Sequence, residues 1–195
     1  MRIFVATALM MLAGAAPSHA QSYPSKPVKF VVPFSAGGGN DIVARIVAEK
    51  LSAKWPTNVI VENRPGAGGN LGSEVVLNSP PDGYTFLFST QGPLVVNKGL
   101  YPKLSYDLET LVPVNYVASS SNFLTVNPKV EARNLKELIA YAKANPGKLN
   151  YASQGIGTTA HLAAELLKDA AKIDLVHVPY KGTGPALTEI GRAHV

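Results

Sequence analysis

Three sets of residues in this 195-residue chain have types and spacings that chemistry could use. The first is Tyr151-Ala152-Ser153-Gln154-Gly155, a serine between an expected strand and an expected helix, as in a nucleophile elbow. The G-x-S-x-G form needs a glycine where Tyr151 stands, so the match is partial. His161 and His177 are available as bases, and Asp169 or Asp174 as the group that orients one. The plainer reading makes Ser153 a loop or cap residue. The second set is His161 and Glu165, four apart on one expected helix face. Two ligands are too few for zinc and the H-E-x-x-H pairing is absent, so no metal is expected. The third set is glycine: residues 34–41, 64–72 and 153–160 each read as a strand running through a glycine loop into a helix.

Such loops can hold a phosphate, a carboxylate or nothing. GGGND (37–41) is not G-x-G-x-x-G, because Ile42 follows Gly39 at the third position. GAGGNLG (66–72) comes nearer, but Leu71 stands where the third glycine belongs. No G-K-[ST] follows either loop, which removes a P-loop and leaves no case for a nucleotide. A small anion fits better. Helix starts carry unpaired N–H groups and a partial positive charge, and glycine lets a ligand approach them. A charged hydrogen bond contributes roughly 1.5–3 kcal/mol. Three or four approach the roughly 8 kcal/mol of micromolar binding. Ligand contact is expected at 34–41 and 153–160, and tight turns alone at 64–72.

The elements that must place these loops follow from periodicity. VKFVVPF (28–34), NVIVEN (58–63) and YTFLFST (84–90) read as strands. A helix runs from Asp41, with Ile42, Val43, Ile46, Val47 and Leu51 on one face, and a short one precedes Pro80-Pro81. This β-α-β-α-β order favours a mostly parallel sheet with helices on both faces. Residues 91–113 look irregular. The order then restarts: apolar runs at 114–118 and 123–128, a helix at 135–147 with Asn134 as its cap, a strand at 148–153, a helix at 160–171 and a strand at 174–180. In that second helix Leu162, Ala163, Leu166 and Leu167 share a face. A second α/β domain is therefore expected from about residue 123.

Composition narrows the class. The chain has no cysteine, so a disulfide framework, a thiolate metal site and a cysteine nucleophile are excluded. The net charge is +5, but the basic residues are scattered, and no nucleic-acid stripe is expected. MRIFVATALMMLAGAAPSHA (1–20) has a positive start at Arg2, an apolar run from Ile3 to Ala16, and small residues at Ser18 and Ala20. It reads as a secretory signal cleaved before Gln21. At the other end, IGRAHV (190–195) does not complete the helix begun by GPALTE, and one back-translation of it resembles a sequencing-library adapter. It is read as a non-native tail, with the second domain incomplete before it.

Five stretches carry a more specific resemblance: YPSKPVKFVVPFSAGGGNDIVARIVAEKL, VENRPGAGGNLGSEVV, SPPDGYTFLFST, NPGKLNYASQGIGTTAHLAAELL and HVPYKGTGPALTE, in this order from Tyr23 to about Glu189. They resemble the Bug family, the periplasmic substrate-binding proteins of tripartite tricarboxylate transporters. The resemblance implies an α/β, periplasmic-binding-protein-like (type II) flytrap of two domains, 21–122 and 123–189. It implies a ligand that is a small carboxylate (a di- or tricarboxylate, an amino acid or an aromatic acid), no cofactor, no catalysis, a monomer, and a membrane permease as partner. One carboxylate is gripped between two loops. The first matches Phe34, Ala36, Gly37, Gly38, Asn40 and Asp41, and the second Ser153, Gly155, Gly157, Thr158, Thr159 and His161. Ser89, Thr90 and Gln91, and Tyr180 and Lys181, border the cleft. Asn40 departs from the threonine usual before the aspartate, yet retains the ability to cap. The rival expectations are a secreted hydrolase using Ser153 and a ligand-sensing module for a signalling partner.

Overall fold

The computed structural model describes residues 22–192. The expected signal segment, its expected cleavage point and the last three residues of the expected tail lie outside the described residues. Three parallel strands, β1 (Val28–Val32), β2 (Val59–Asn63) and β3 (Thr85–Leu87), form a sheet in the order β2-β1-β3. Val28 lies beside Val59, and Lys29 beside both Ile60 and Thr85. β1 is central, and Val28, Val31 and Val32 are fully buried, as expected of a strand covered on both faces. Pro33 ends it by withholding an N–H from the ladder. Helix α1 (Gly39–Ser52) packs on β1 and β2, and α2 (Asn70–Leu77) on β1 and β3.

The buried stripe of α1 differs from the expected one. Ile42 and Ile46 are half exposed, and Asp41, Ala44 and Ala48 face inward with Val47 and Leu51 beside them. Alanine lets the helix sit close to the strands, and the large side chains of the core come from Phe30, Phe86, Phe88 and Trp55. Hydrophobic periodicity locates the helix but not its rotation about its axis.

The segment expected to be irregular holds a π turn, Gly92–Val96, running into a single turn, α3 (Asn97–Leu100). Residues 111–126 form no regular element, and Val112, Val114, Tyr116 and Phe123 on them are largely exposed. Helix α4 (Leu135–Ala144) opens with a reciprocal cap: Asn134 accepts from the Glu137 N–H, and the Glu137 carboxylate accepts from the Arg133 N–H. Asn134→Ala is expected to cost about 1 kcal/mol of stability, read by chemical denaturation, with no change at the glycine loops.

A second sheet pairs β4 (Asn150–Ser153) with β5 (Val176–Pro179), also parallel, with α5 (Thr159–Ala171) between them in sequence. Leu166 of α5 is 70% exposed, whereas His161, Glu165 and Lys168 touch the sheet residues Tyr151 and His177 or each other. Helix α6 (Thr183–Arg192) follows β5 and includes Ile190, Gly191 and Arg192, beyond the point where the sequence pattern ends it. The α/β class and the parallel sheets are as expected.

Candidate ligand-binding site

The chain leaves β1 to form β2 on one side and returns to form β3 on the other. In open parallel sheets such a reversal is where ligands are taken, beyond the carboxyl ends of the strands, here β1 and β3. Residues 33–38 form one lip. The Asp41 carboxylate, 3% exposed, braces this loop from beneath. It accepts from the Gly37 N–H (2.9 Å), from Arg45 Nε (3.0 Å) and from Asn63 Nδ2 (2.9 Å), and Arg45 Nη2 lies 3.0 Å from Oδ1. Asn63 Nδ2 also donates to the Phe34 carbonyl at 3.0 Å. Burial works to raise this carboxyl, but the bonds from Arg45, Gly37 and Asn63 together outweigh it and hold it below the ordinary carboxylate value. The N-cap of α1 is Gly38, which brings no side-chain cap. Asn40, expected as a possible cap, lies inside the helix and donates from Nδ2 to the Phe88 carbonyl at 3.0 Å, tying α1 to the end of β3.

The second lip is the loop from Ser153 to Thr158. Thr158 is the N-cap of α5 but does not cap it with its side chain, because Thr158 Oγ1 donates instead to the Gly155 carbonyl at 2.7 Å. Ser153 is 2% exposed. Its Oγ accepts from the Gly155 N–H at 3.0 Å and lies 2.7 Å from His177 Nε2. The His177 ring stacks on Tyr151 with centroids 4.7 Å apart, and His161 lies 4.5 Å from it. Burial first, then the neighbouring His161, lowers the His177 pKa below its ordinary 6.5. A folded-state pKa below the unfolded one means that the unfolded chain takes up the proton first as pH falls. This contribution to stability is therefore complete above pH 6.5 and declines as pH drops below it, levelling off under the folded-state pKa. Relative to the non-titrating His177→Gln variant, the wild-type denaturation midpoint is expected to fall on acidification through that window.

The two lips are joined. The Lys181 carbonyl accepts from both the Ser35 N–H (3.0 Å) and Ser35 Oγ (2.9 Å). Gln154 Nε2 donates to Thr183 Oγ1 at 2.8 Å, and a Cβ on Gly38 would touch the same Thr183. The remaining glycine junction, 64–72, serves as a support. Gly68 has φ +62° and presses on the Ile156 carbonyl, and Asn97, fully buried, donates from Nδ2 to the Gly68 carbonyl and to Asn70 Oδ1. Asn97 Oδ1 faces Gly157.

The structure thus sorts the seventeen site residues inferred from sequence by access. Ala36, Gly37, Gln91 and Lys181 are exposed. Asn40, Ser89, Thr90, Thr159, His161 and Tyr180 are partly exposed. Phe34, Gly38, Asp41, Ser153, Gly155, Gly157 and Thr158 are buried, and of these Asp41, Ser153 and Thr158 spend their polar atoms on the loops themselves. His161 Nδ1 accepts from the Gly157 N–H at 3.3 Å. Sequence reasoning missed Ser35, Asn63, Asn97, Gln154 and Thr183, which reach their partners only through tertiary folding. A groove of about 570 Å³ beside Arg64, Leu71 and Glu74 shares only Asn63 with these groups. Among the described residues no three His, Asp or Glu side chains cluster as a metal site would require.

Residues 43–195 match the model of the tripartite tricarboxylate transporter family receptors, and the chain belongs to that family. It is 42% identical over 192 residues to the protein BugT of Bordetella pertussis, covering 96% of this chain and 57% of that one. Two solved structures from Rhodopseudomonas palustris are also similar. Rpa4515 with adipate has a TM-score of 0.85 at 36% identity, over 88% of this chain and 58% of that one. MatC with bound malate has a TM-score of 0.74 at 30% identity, over 86% and 57%. The fold is that of periplasmic solute-binding proteins. The chain spans about half the length of the curated relatives it matches.

Proposed function

We propose that the protein is the periplasmic receptor of a tripartite carboxylate transporter, capturing a small carboxylate and presenting it to a membrane permease. One observation carries this reading. Helices α1 and α5 each begin after a glycine loop at the carboxyl end of a parallel sheet, and neither has a side-chain cap. Helix α4, which follows no glycine loop, is capped by Asn134, whereas α2 also lacks a side-chain cap but starts on the 64–72 turn that packs against Ile156 and Pro93. Uncapped N–H groups at two adjoining helix starts suit an anion. The adipate and malate in the two related structures are both dicarboxylates, which supports the same ligand class here. On this reading the chain divides near residue 122 into two domains, each supplying one lip, and the receptor works as a monomer with no cofactor and no catalytic step. The N–H groups near Gly38 and Thr158, with Asn40, Thr90, Gln91, Thr159 and Tyr180, meet the ligand. Asp41 and Ser153 hold the loops.

The test is a thermal-shift and calorimetric screen of the full chain against mono-, di- and tricarboxylates. At a hundred times Kd a true ligand stabilises by about 2.7 kcal/mol. Silence across the whole panel would sink the reading. The 2.7 Å Ser153–His177 contact favours a second reading, a hydrolase. Ester turnover abolished by Ser153→Ala would establish it, whereas a receptor variant loses affinity only. A sensor would bind the same ligands and be found by pull-down with a signalling partner instead of a permease.

A further inference from the structure

We infer that His177 is a positioning residue for ligand capture: through Ser153 it holds the Gly155–Thr158 turn, and with it the start of α5, in the form that receives a carboxylate. The inference rests on the proposed receptor function. Gly155 is the hub of the turn. Its carbonyl accepts from the Thr158 N–H (3.3 Å) and from Thr158 Oγ1 (2.7 Å), and its N–H donates to Ser153 Oγ (3.0 Å). Ser153 Oγ lies 2.7 Å from His177 Nε2 but 3.2 Å from the Gly155 carbonyl. A hydroxyl has a single proton to give. Given to a neutral imidazole, it leaves the Ser153 lone pairs for Gly155 and fixes the hydroxyl's direction.

The imidazole is itself held by two neighbouring rings. Among the described residues, the titratable or charged groups set against it, Tyr151, His161, Glu165 and Lys168, come from β4 and α5. Tyr151 stacks on one face within 17° of parallel, and His161 covers it from α5. The Tyr151 hydroxyl donates to the Glu165 carboxylate, which Lys168 Nζ holds at 2.9 and 3.1 Å. His161, Glu165 and Lys168 are spaced i, i+4 and i+7, the face of a helix that ordinarily carries leucine against a sheet. The outer members of the network are partly exposed, Glu165 at 41% and Lys168 at 23% of their side chains, and its inner end is the buried Ser153. The far end of the network is the ligand loop, and holding that loop in shape accounts for its presence.

The test compares wild type with His177→Phe, which keeps the ring stack and loses the nitrogen, and His177→Gln, which restores a hydrogen-bonding group. Ser153→Ala removes the same bond from its other end together with the acceptor of the Gly155 N–H, so it is read at Gly157 and Thr158 only, and it serves if the phenylalanine variant fails to fold. Amide hydrogen exchange at Gly155, Gly157 and Thr158 is read without ligand, and calorimetry with malate and adipate follows on the full chain. In His177→Phe and Ser153→Ala, exchange at the turn is expected to rise about tenfold and affinity to fall about tenfold, the scale of one ordinary hydrogen bond, while exchange in β1 is unchanged. His177→Gln is expected to recover most of both. Unchanged exchange at the turn, or a glutamine variant no better than the phenylalanine one, overturns the inference while leaving the receptor reading intact. If exchange behaves as expected but wild type binds neither acid nor any other carboxylate, the receptor reading has failed and the inference falls with it.

Discussion

Gly68→Ala is expected to destabilise the protein by about 2–5 kcal/mol and to lower its Tm by about 5–15 °C. Two costs combine. The residue sits at φ +62°, where an alanine Cβ meets its own backbone at about 1–2 kcal/mol. The new methyl would also stand 2.2 Å from the Ile156 carbonyl oxygen and 2.9 Å from the Tyr101 hydroxyl. Overpacking of this kind costs about 1–3 kcal/mol even where neighbours can yield, and a backbone carbonyl yields poorly. The displaced carbonyl belongs to the second lip, so ligand affinity is expected to suffer beyond the loss of stability. Gly39→Ala is the control. Its Cβ enters open space with ordinary backbone angles at the first position of α1, and it is expected to be neutral. Equal melting temperatures for the two variants would contradict the close contact between the 66–69 turn and the 155–157 loop.

Asp41→Ala carries the other large effect. The carboxylate joins the loop at Gly37, the end of β2 through Asn63, and Arg45 one turn along α1. Charge-assisted bonds contribute about 1.5–3 kcal/mol each, but Arg45 is more than half exposed and its share is discounted by solvent. A net loss of about 2–4 kcal/mol is expected from urea denaturation. Asp41→Asn should recover little of it, because its amide NH2 would replace an oxygen to which two donors already point. The pH dependence has a definite sign. The folded-state pKa lies below the ordinary 3.8, so the Asp41 contribution is complete above that value and vanishes as pH falls through the folded-state pKa. The slope of stability against pH below 4 is therefore expected to be shallower in Asp41→Asn than in wild type.

What the sequence disclosed and what it hid divide along physical lines. The strands and long helices are legible because β-branched runs and 3.6-residue periodicity act locally: they place α4 with its cap, and β2 to within a residue. The glycine junctions are legible for the same reason. The π turn at Gly92–Val96 is not, since it is a short segment with buried Gly92 and Pro93 whose shape depends on packing against the 157–158 backbone. The inward turn of Asp41 is also hidden. A helix-start aspartate reads as a group facing the ligand, and only Asn63, twenty-two residues away, reveals that it faces the fold. The polar face of α5 escapes periodicity altogether, because leucine at 162, 166 and 167 supplies an apolar pattern that points partly to solvent.

The absence of side-chain caps at Gly38 and Thr158 has an evolutionary consequence if the protein is a carboxylate receptor. A grip made of main-chain N–H groups cannot be deleted by exchanging a side chain, because every residue but proline supplies the same group. Point substitution is then free to act on the rim, at positions such as Gln91, Thr159 and Tyr180, where it changes which acid fits without dismantling the hold on the acid group. Inheritance of the grip and diversification of the menu become separable, and a gene family can drift from one nutrient to another through intermediates that all still bind something.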